Sequence, residues 1–184
     1  MNTIKIPPHP CLSQAAIDYF ESILRADFRI FELGAGGSTL WLARRAAQVV
    51  SVEHDREWYE AVEAAIISED LANVDLRYRP LQPEDKLNPW KDYSIEILRF
   101  NNDFFDLAFV DGWDPARLPC AAYAQGKVKP GGYVVVDDTN QPYLQAVFGI
   151  LQGWARHDVA GRILGRIDGA IVDNQTTFFR KPEL

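Results

Sequence analysis

The sequence is short of cysteine, of methionine and of any surplus of positive charge. Its 184 residues include two cysteines, Cys11 and Cys120, and one methionine. Two isolated cysteines give neither a disulfide framework nor a metal-ligand spacing. With 19 Lys+Arg against 26 Asp+Glu, the formal net charge is −7. A phosphate backbone needs a concentrated basic face, and no basic run is present, so no nucleic-acid partner is expected. Nor does any apolar run reach the length of a membrane span, so no membrane partner is expected either. The N-terminus carries Pro7-Pro8-His9-Pro10 and no signal-peptide pattern. Internal repeats and low-complexity segments are missing too. These absences point to a cytoplasmic protein that acts on small molecules.

What is present is ordinary for one globular domain: 47% hydrophobic and 24% charged residues, enough chain for a core of its own. Helical and strand patterns alternate along it, which predicts an α/β sheet with helices on both faces. Ser13 caps a first helix whose Ile17, Phe20 and Leu24 share a face. Strands are expected at 29–33, 49–53, 74–78, 105–110 and 133–136, with helices at 38–47 and, behind a cap at Asp55, through Trp58, Val62, Ala65 and Ile66. Prolines at 80, 83 and 89 loosen the pattern between 80 and 103, where only a short ordered piece is expected. Leu144, Val147, Phe148, Leu151 and Trp154 predict a long amphipathic helix, weakened by Gly149 and Gly153. Lys129-Pro130-Gly131-Gly132 reads as a turn. Ile167-Asp168-Gly169-Ala170 reads as a hairpin turn between two closing antiparallel strands.

The segment Ile30-Phe31-Glu32-Leu33-Gly34-Ala35-Gly36-Gly37-Ser38-Thr39-Leu40 carries the chemistry. It reads as a buried strand, a glycine-rich turn and the start of a helix. Small residues let a ligand lie against the backbone, and the helix start aims free N–H groups at the same place. Acids follow at three further strand ends: Glu53, Asp111 and Asp137-Asp138. Ligands of open α/β sheets bind at that edge. Carboxylates converging there need partners, such as ribose hydroxyls, an amine or a metal ion. Glu53, one strand after the glycine turn, stands where an acid holds a ribose, and the upstream turn favours this over a plain helix-start acid. Glu32 has two readings, a brace for the loop or a contact to a ligand ammonium. A dinucleotide fingerprint would place glycine where Thr39 stands.

The ordered set of motifs resembles the class I S-adenosylmethionine (SAM)-dependent methyltransferases. Glu32-Leu33-Gly34-Ala35-Gly36-Gly37-Ser38 looks like their first motif, and Glu53 in Val52-Glu53-His54-Asp55 matches their ribose-binding acid. Phe109-Val110-Asp111-Gly112 and the run Lys129-Pro130-Gly131-Gly132-Tyr133-Val134-Val135-Val136-Asp137-Asp138 resemble the fourth- and fifth-strand motifs of the small-molecule O-methyltransferase branch. The resemblance spans about Ser13 to Pro182. It implies a doubly wound, Rossmann-like fold, mainly parallel, with an antiparallel last strand. It also implies methyl transfer from SAM to a small acceptor, with a hydroxyl expected.

Carried over residue by residue, the cofactor would meet Glu32, Gly34, Ala35, Gly36, Gly37, Ser38, Glu53, His54 and Asp111. Asp111 and Asp138 would serve catalysis. Asp111, Asp137 and Asp138 match a divalent-cation site of the catechol-type and sugar-modifying branches, with Mg²⁺ suited to oxygen-only ligands. Metal-free relatives keep one such acid, and Asp138 then caps the next helix. The sugar-modifying branch follows its fourth-strand acid closely with a second acid. Here Asp114 is displaced by one residue, and Pro119 argues for a loop from Trp113 to Leu118. His54 is expected as a wall of the adenine pocket and His157 at the surface near the end of the long helix. Residues 1–12 are expected as an arm or lid of a single domain. Trp90, Tyr93 and Trp113 suit either a substrate wall or satellite core. Two other readings stay open, a dinucleotide-dependent oxidoreductase and a non-catalytic SAM-binding module. The chain is short for the branch, which leaves room for a large acceptor or a homo-oligomer that completes the site.

Overall fold

A computed structural model describes residues 4–164 and 170–183. Seven strands, β1 (Arg29–Leu33), β2 (Gln48–Glu53), β3 (Val74–Tyr78), β4 (Phe105–Val110), β5 (Val128–Val136), β6 (Ala155–Leu164) and β7 (Ile171–Arg180), form one sheet in the order β3-β2-β1-β4-β5-β7-β6. The first five are parallel, and β7 runs antiparallel to both β5 and β6. This is the doubly wound arrangement with a reversed last strand. The strand order reverses between β1 and β4, and the crevice at such a point is where open α/β sheets bind ligands.

The helices are α1 (Gln14–Ile23), α2 (Gly37–Ala43), α3 (Arg56–Ser68), α4 (Lys91–Ser94), α5 (Asp114–Ala124) and α6 (Val147–Ile150). Strand alternation divides the core between the two faces. Phe31, Leu33, Val50, Val52, Val110 and Val136 face α4, α5 and α6. Ile30, Val49, Leu107, Phe109 and Val135 face Phe20 of α1 and Trp41 of α2. Ser13 and Asp55 cap α1 and α3 as expected, each side chain accepting a backbone N–H three residues on.

Four expectations need correction. α2 stops at Ala43, not Ala47; Arg44 ends it, and the Arg45 guanidinium lies 4.4 Å from the Trp41 ring. The helix predicted over 144–154 is broken. Only α6 is α-helical, and i→i−3 bonds such as Gln145 N–H to Pro142 O and Trp154 N–H to Leu151 O flank it. Gly153 then takes φ +87° and ends the helical run, so His157 lies on β6 and stacks on Tyr19 at 4.0 Å. The apolar residues chosen for that helix still serve: Leu144, Val147 and Leu151 are buried. Lys129-Pro130-Gly131-Gly132 lies within β5, where the register against β4 shifts between Phe105 and Leu107. Finally, residues 114–118 are helix, and Pro119 sits inside α5. The hairpin between β6 and β7 is present; Ile167, Asp168 and Gly169 of its turn lie outside the described residues.

Candidate active site

Register alone assembles the site. Val52, Leu33, Val110 and Val136 are neighbours across β2, β1, β4 and β5. The residues after them, Glu53, Gly34, Asp111 and Asp137, therefore stand in a row along the carboxyl edge. Ladder bonds continue one step past the strands: Gly34 N–H to Val52 O, Asp111 N–H to Leu33 O and Asp137 N–H to Val110 O.

The glycine loop is packed against the neighbouring strand end. Gly34 has φ +94°, and a Cβ there would lie 2.6 Å from Gly112 Cα. Both the left-handed backbone and the missing side chain are therefore required. Thr39, where a dinucleotide fingerprint would have glycine, holds the loop by hydrogen bonds. Its hydroxyl accepts the Gly36 N–H at 2.9 Å and donates to Glu32 Oε2 at 2.5 Å. Ser51 donates to the same oxygen at 2.5 Å. Trp58 donates its indole N–H to Ala35 O at 2.6 Å from the other side.

Glu32 is fully buried, and its Oε1 lacks a hydrogen bond of ordinary geometry. Burial raises its pKa to about 7, with the Ser38, Ser51 and Thr39 hydroxyls pulling the other way. Of its two expected roles, the brace is visible: Thr39 and Ser51 hold Oε2, and the Ser38 hydroxyl acts on the same carboxyl group. Glu53 accepts three backbone N–H groups, Ala35 on Oε2 and His54 and Asp55 on Oε1. His54 Nδ1 lies 2.8 Å from Glu53 Oε1. Its ring sits 5.2 Å from that of Tyr93 and 6.2 Å from that of Trp113.

A cavity of about 650 Å³ runs along this edge. Gly34, Ala35, Gly36, Gly37, Ser38, Glu53, His54 and Asp111, all expected at the cofactor, line it. So do Tyr93 and Trp113, with Trp90 packed behind Trp113 at 5.7 Å. The N-terminal arm also contributes to the wall, through Ile4, Pro7, His9 and Cys11. Glu32, Asp137 and Asp138 are not in that wall; the first lies beneath the loop and the other two beside it.

Asp111, Asp137 and Asp138 do meet, each with an oxygen within 4.8 Å of the others. Asp137 is buried, and its Oδ1 accepts from Thr176 Oγ1 at 2.7 Å and Asn174 Nδ2 at 3.1 Å. Burial, reinforced by the Asp111 and Asp138 charges, raises its carboxyl to about 8. Asp138 has φ +58°, a left-handed conformation that Asp tolerates better than most residues. Its side chain does not cap the next helix. Oδ1 accepts from Asn174 at 2.9 Å, and Oδ2 accepts from Arg117 at 2.7 Å.

Arg117 was absent from the sequence-based site. It is 5% exposed and places its guanidinium among the acids. Nη2 lies 3.1 Å from Asp111 Oδ1, and Nε donates to Gly112 O at 2.6 Å. Burial lowers the guanidinium's pKa, but Asp111 and Asp138 outweigh that and leave it above its ordinary value. The three acids expected at a divalent ion are therefore bridged, at Asp111 and Asp138, by a cation of the chain itself. Asp114, the first residue of α5, is largely exposed and 3.4 Å from Arg117. The signal for Arg117 was in the sequence: clustered acids require a counter-charge, and Arg117 lies one helical turn after Asp114.

Comparison with known proteins agrees with this geometry. A family described as "Methyltransferase domain" matches residues 31–139, and the chain belongs to that family. Among solved structures, the O-methyltransferase TomG of Streptomyces achromogenes, involved in tomaymycin synthesis and in complex with SAM, has a TM-score of 0.65 at 21% identity. The match covers 90% of this chain and 79% of that one. The precorrin 8w decarboxylase of Methanobacterium thermoautotrophicum gives 0.64 at 19% identity, over 97% and 95%. An rRNA methylase of Streptococcus thermophilus gives 0.62 at 13%, over 91% and 95%. No curated protein matches. Identities this low establish the shared fold and leave the acceptor open. The protein is thus an enzyme of the class I, SAM-dependent methyltransferase type, and the dinucleotide reading falls away. No helix among the described residues is long and apolar enough to cross a membrane.

Proposed function

We propose that this enzyme transfers the methyl group of SAM to the hydroxyl of a small, uncharged or cationic acceptor in the cytoplasm. The observation that carries the reading is the charge of the cavity. Glu53, Asp55, Glu57, Asp111 and Asp114 line it, and its one arginine, Arg117, is bonded to acids and to backbone carbonyls. An acidic cleft attracts a sulfonium and an ammonium and repels phosphates and carboxylates.

When bound, SAM supplies an activated methyl carbon whose leaving group is a neutral thioether. The chain supplies position. The loop at Gly34–Ser38, whose Gly34, Ala35 and Gly36 N–H groups are held by Val52 O, Glu53 and Thr39, lies flat against the cofactor, and the free face of Glu53 Oε2 takes the ribose hydroxyls. Glu32, buried beneath the loop and outside the cavity wall, acts on the ammonium through the loop and not by direct contact. Asp111 lies between cofactor and acceptor, and Asp138 accepts the acceptor's O–H. An acceptor oxygen that took the methyl group would leave the carbon–sulfur electron pair on the departing thioether, and Asp138 would take the hydroxyl proton and pass it to water. Most of the acceleration then comes from proximity and orientation.

The test is calorimetric titration of S-adenosylhomocysteine (SAH), followed by methyl-labelled SAM offered to neutral, cationic and phosphorylated hydroxyl compounds. Label in neutral or cationic hydroxyl compounds supports the proposal. Label only in phosphorylated compounds, or no binding of SAH, overturns it.

A further inference from the structure

Three carboxylates within 4.8 Å of one another repel strongly in a partly dry site, and something must balance them. Here the balance comes from the chain. The Arg117 guanidinium spans Asp138 Oδ2 at 2.7 Å and Asp111 Oδ1 at 3.1 Å. Its remaining N–H groups reach Gly112 O at 2.6 Å, Asp137 O at 3.3 Å and Asp111 O at 3.4 Å. Asn174 donates one N–H pair to both Asp137 and Asp138, and Thr176 closes the other side of Asp137. One positive charge thus offsets part of the negative charge of the acids of β4 and β5, and protein hydrogen bonds hold them without an ion.

We propose that Arg117 is a built-in cation that occupies the place of a divalent metal, so that this enzyme positions its acceptor without one. A metal would leave coordination sites open to bind and acidify an acceptor oxygen. The guanidinium has donors only, and protein oxygens take them. Acceptor hydroxyls therefore donate hydrogen bonds to the Asp138 and Asp114 carboxylates and are not chelated. A single hydroxyl suffices, and a metal-chelating vicinal diol gains nothing. Arg117 acts through Asp111 and Asp138 and is a positioning residue. The acceptor part of this inference rests on the methyl-transfer reading above; the cation part does not.

The experiment measures Mn²⁺ binding by calorimetry and by thermal shift, which needs no acceptor and no SAM. The proteins are wild type, Arg117→Ala, Arg117→Lys and Asp138→Asn, each checked for folding by circular dichroism. Wild type and Arg117→Lys are expected to show no saturable Mn²⁺ binding. Arg117→Ala is expected to bind one ion and to gain about 5 °C in melting temperature at saturating Mn²⁺. One-to-one Mn²⁺ binding by wild type that Asp138→Asn abolishes overturns the proposal. So does a folded Arg117→Ala that binds no ion. Where Arg117→Ala does not fold, wild type and Arg117→Lys decide: silence toward Mn²⁺ in both supports the built-in cation, and binding by either overturns it. Failure of SAH to bind would sink the proposed function and leave these outcomes standing.

Discussion

Glu53 Oε2 accepts the N–H of Ala35 at 3.1 Å, and this single bond ties the end of β2 to the glycine loop at the end of β1. The same side chain receives His54 and Asp55 N–H at 2.7 and 2.8 Å. The acid expected to hold a ribose is therefore also the template of the glycine loop.

Two losses should appear together in Glu53→Ala. Unsatisfied buried amides cost about 1–3 kcal/mol, so the melting temperature falls. SAH affinity falls at least about tenfold, the equivalent of one lost charge-assisted hydrogen bond. Calorimetry beside thermal denaturation separates the two. A lower melting temperature with unchanged SAH affinity would leave Glu53 a loop brace only.

Glu32 gives the protein a pH dependence of definite sign. Its carboxyl sits at about 7 when folded against 4.5 as a free side chain. The folded state therefore holds a proton that the unfolded chain has released between these values, and stability falls as pH rises. The contribution is fully present below 4.5 and is lost through about 7, worth about 3 kcal/mol in all. Glu32→Gln keeps an oxygen for Thr39 and Ser51 and removes the titration. Its melting temperature should fall less than that of wild type between pH 5 and 8, while SAH binds more weakly for want of the anion. Parallel melting curves over that range would show that Glu32 does not titrate there.

Thr39 provides a narrower test of the loop. Its hydroxyl is the link between Gly36 N–H and Glu32 Oε2. Thr39→Val preserves shape and deletes that link, leaving a buried donor and a carboxylate oxygen short of one partner each. A loss of about 1–3 kcal/mol is expected in urea denaturation. Thr39→Ser retains the hydroxyl and should restore most of it. Equal losses in both would assign the residue's value to packing of its methyl group.

Much of this fold was legible because local and global signals agree. The apolar runs that became β1, β2 and β4 end in glycine or acid, and the caps Ser13 and Asp55 announce their helices. What escaped the sequence depends on contacts between distant segments. Thr176 bonds Asp137 across 39 residues because β7 pairs antiparallel with β5. Arg117 was hidden by Pro119, which argues against a helix at a cost of about 3 kcal/mol. Arg117's bonds to the ends of β4 and β5 hold the first turn of α5 in place nonetheless. The segment 144–154 kept its apolar face but retains α-helical hydrogen bonds only around α6, as in Ile150 N–H to Ala146 O and Leu151 N–H to Val147 O, since Leu144, Val147 and Leu151 are buried without a continuous helix.

The N-terminal arm supplies the last prediction. A Cβ on Gly37 would lie 2.3 Å from His9 O and 2.4 Å from Pro7 O, so the arm rests directly on the first residue of α2. Arg44, at the other end of α2, donates to Pro8 O at 3.3 Å, and Ile6 and Leu12 of the arm are buried. Backbone carbonyls cannot retreat from a methyl group as a flexible side chain can. Gly37→Ala must therefore lift the arm, which also walls the cavity through Pro7, His9 and Cys11. If the arm acts as a lid, the variant should release SAH faster by stopped-flow fluorescence while its association rate changes little. Proteolysis within residues 4–12 should also become faster, because a segment freed from its contacts is open to cleavage. Faster proteolysis with an unchanged release rate would make the arm a structural strap and not a lid over the cofactor.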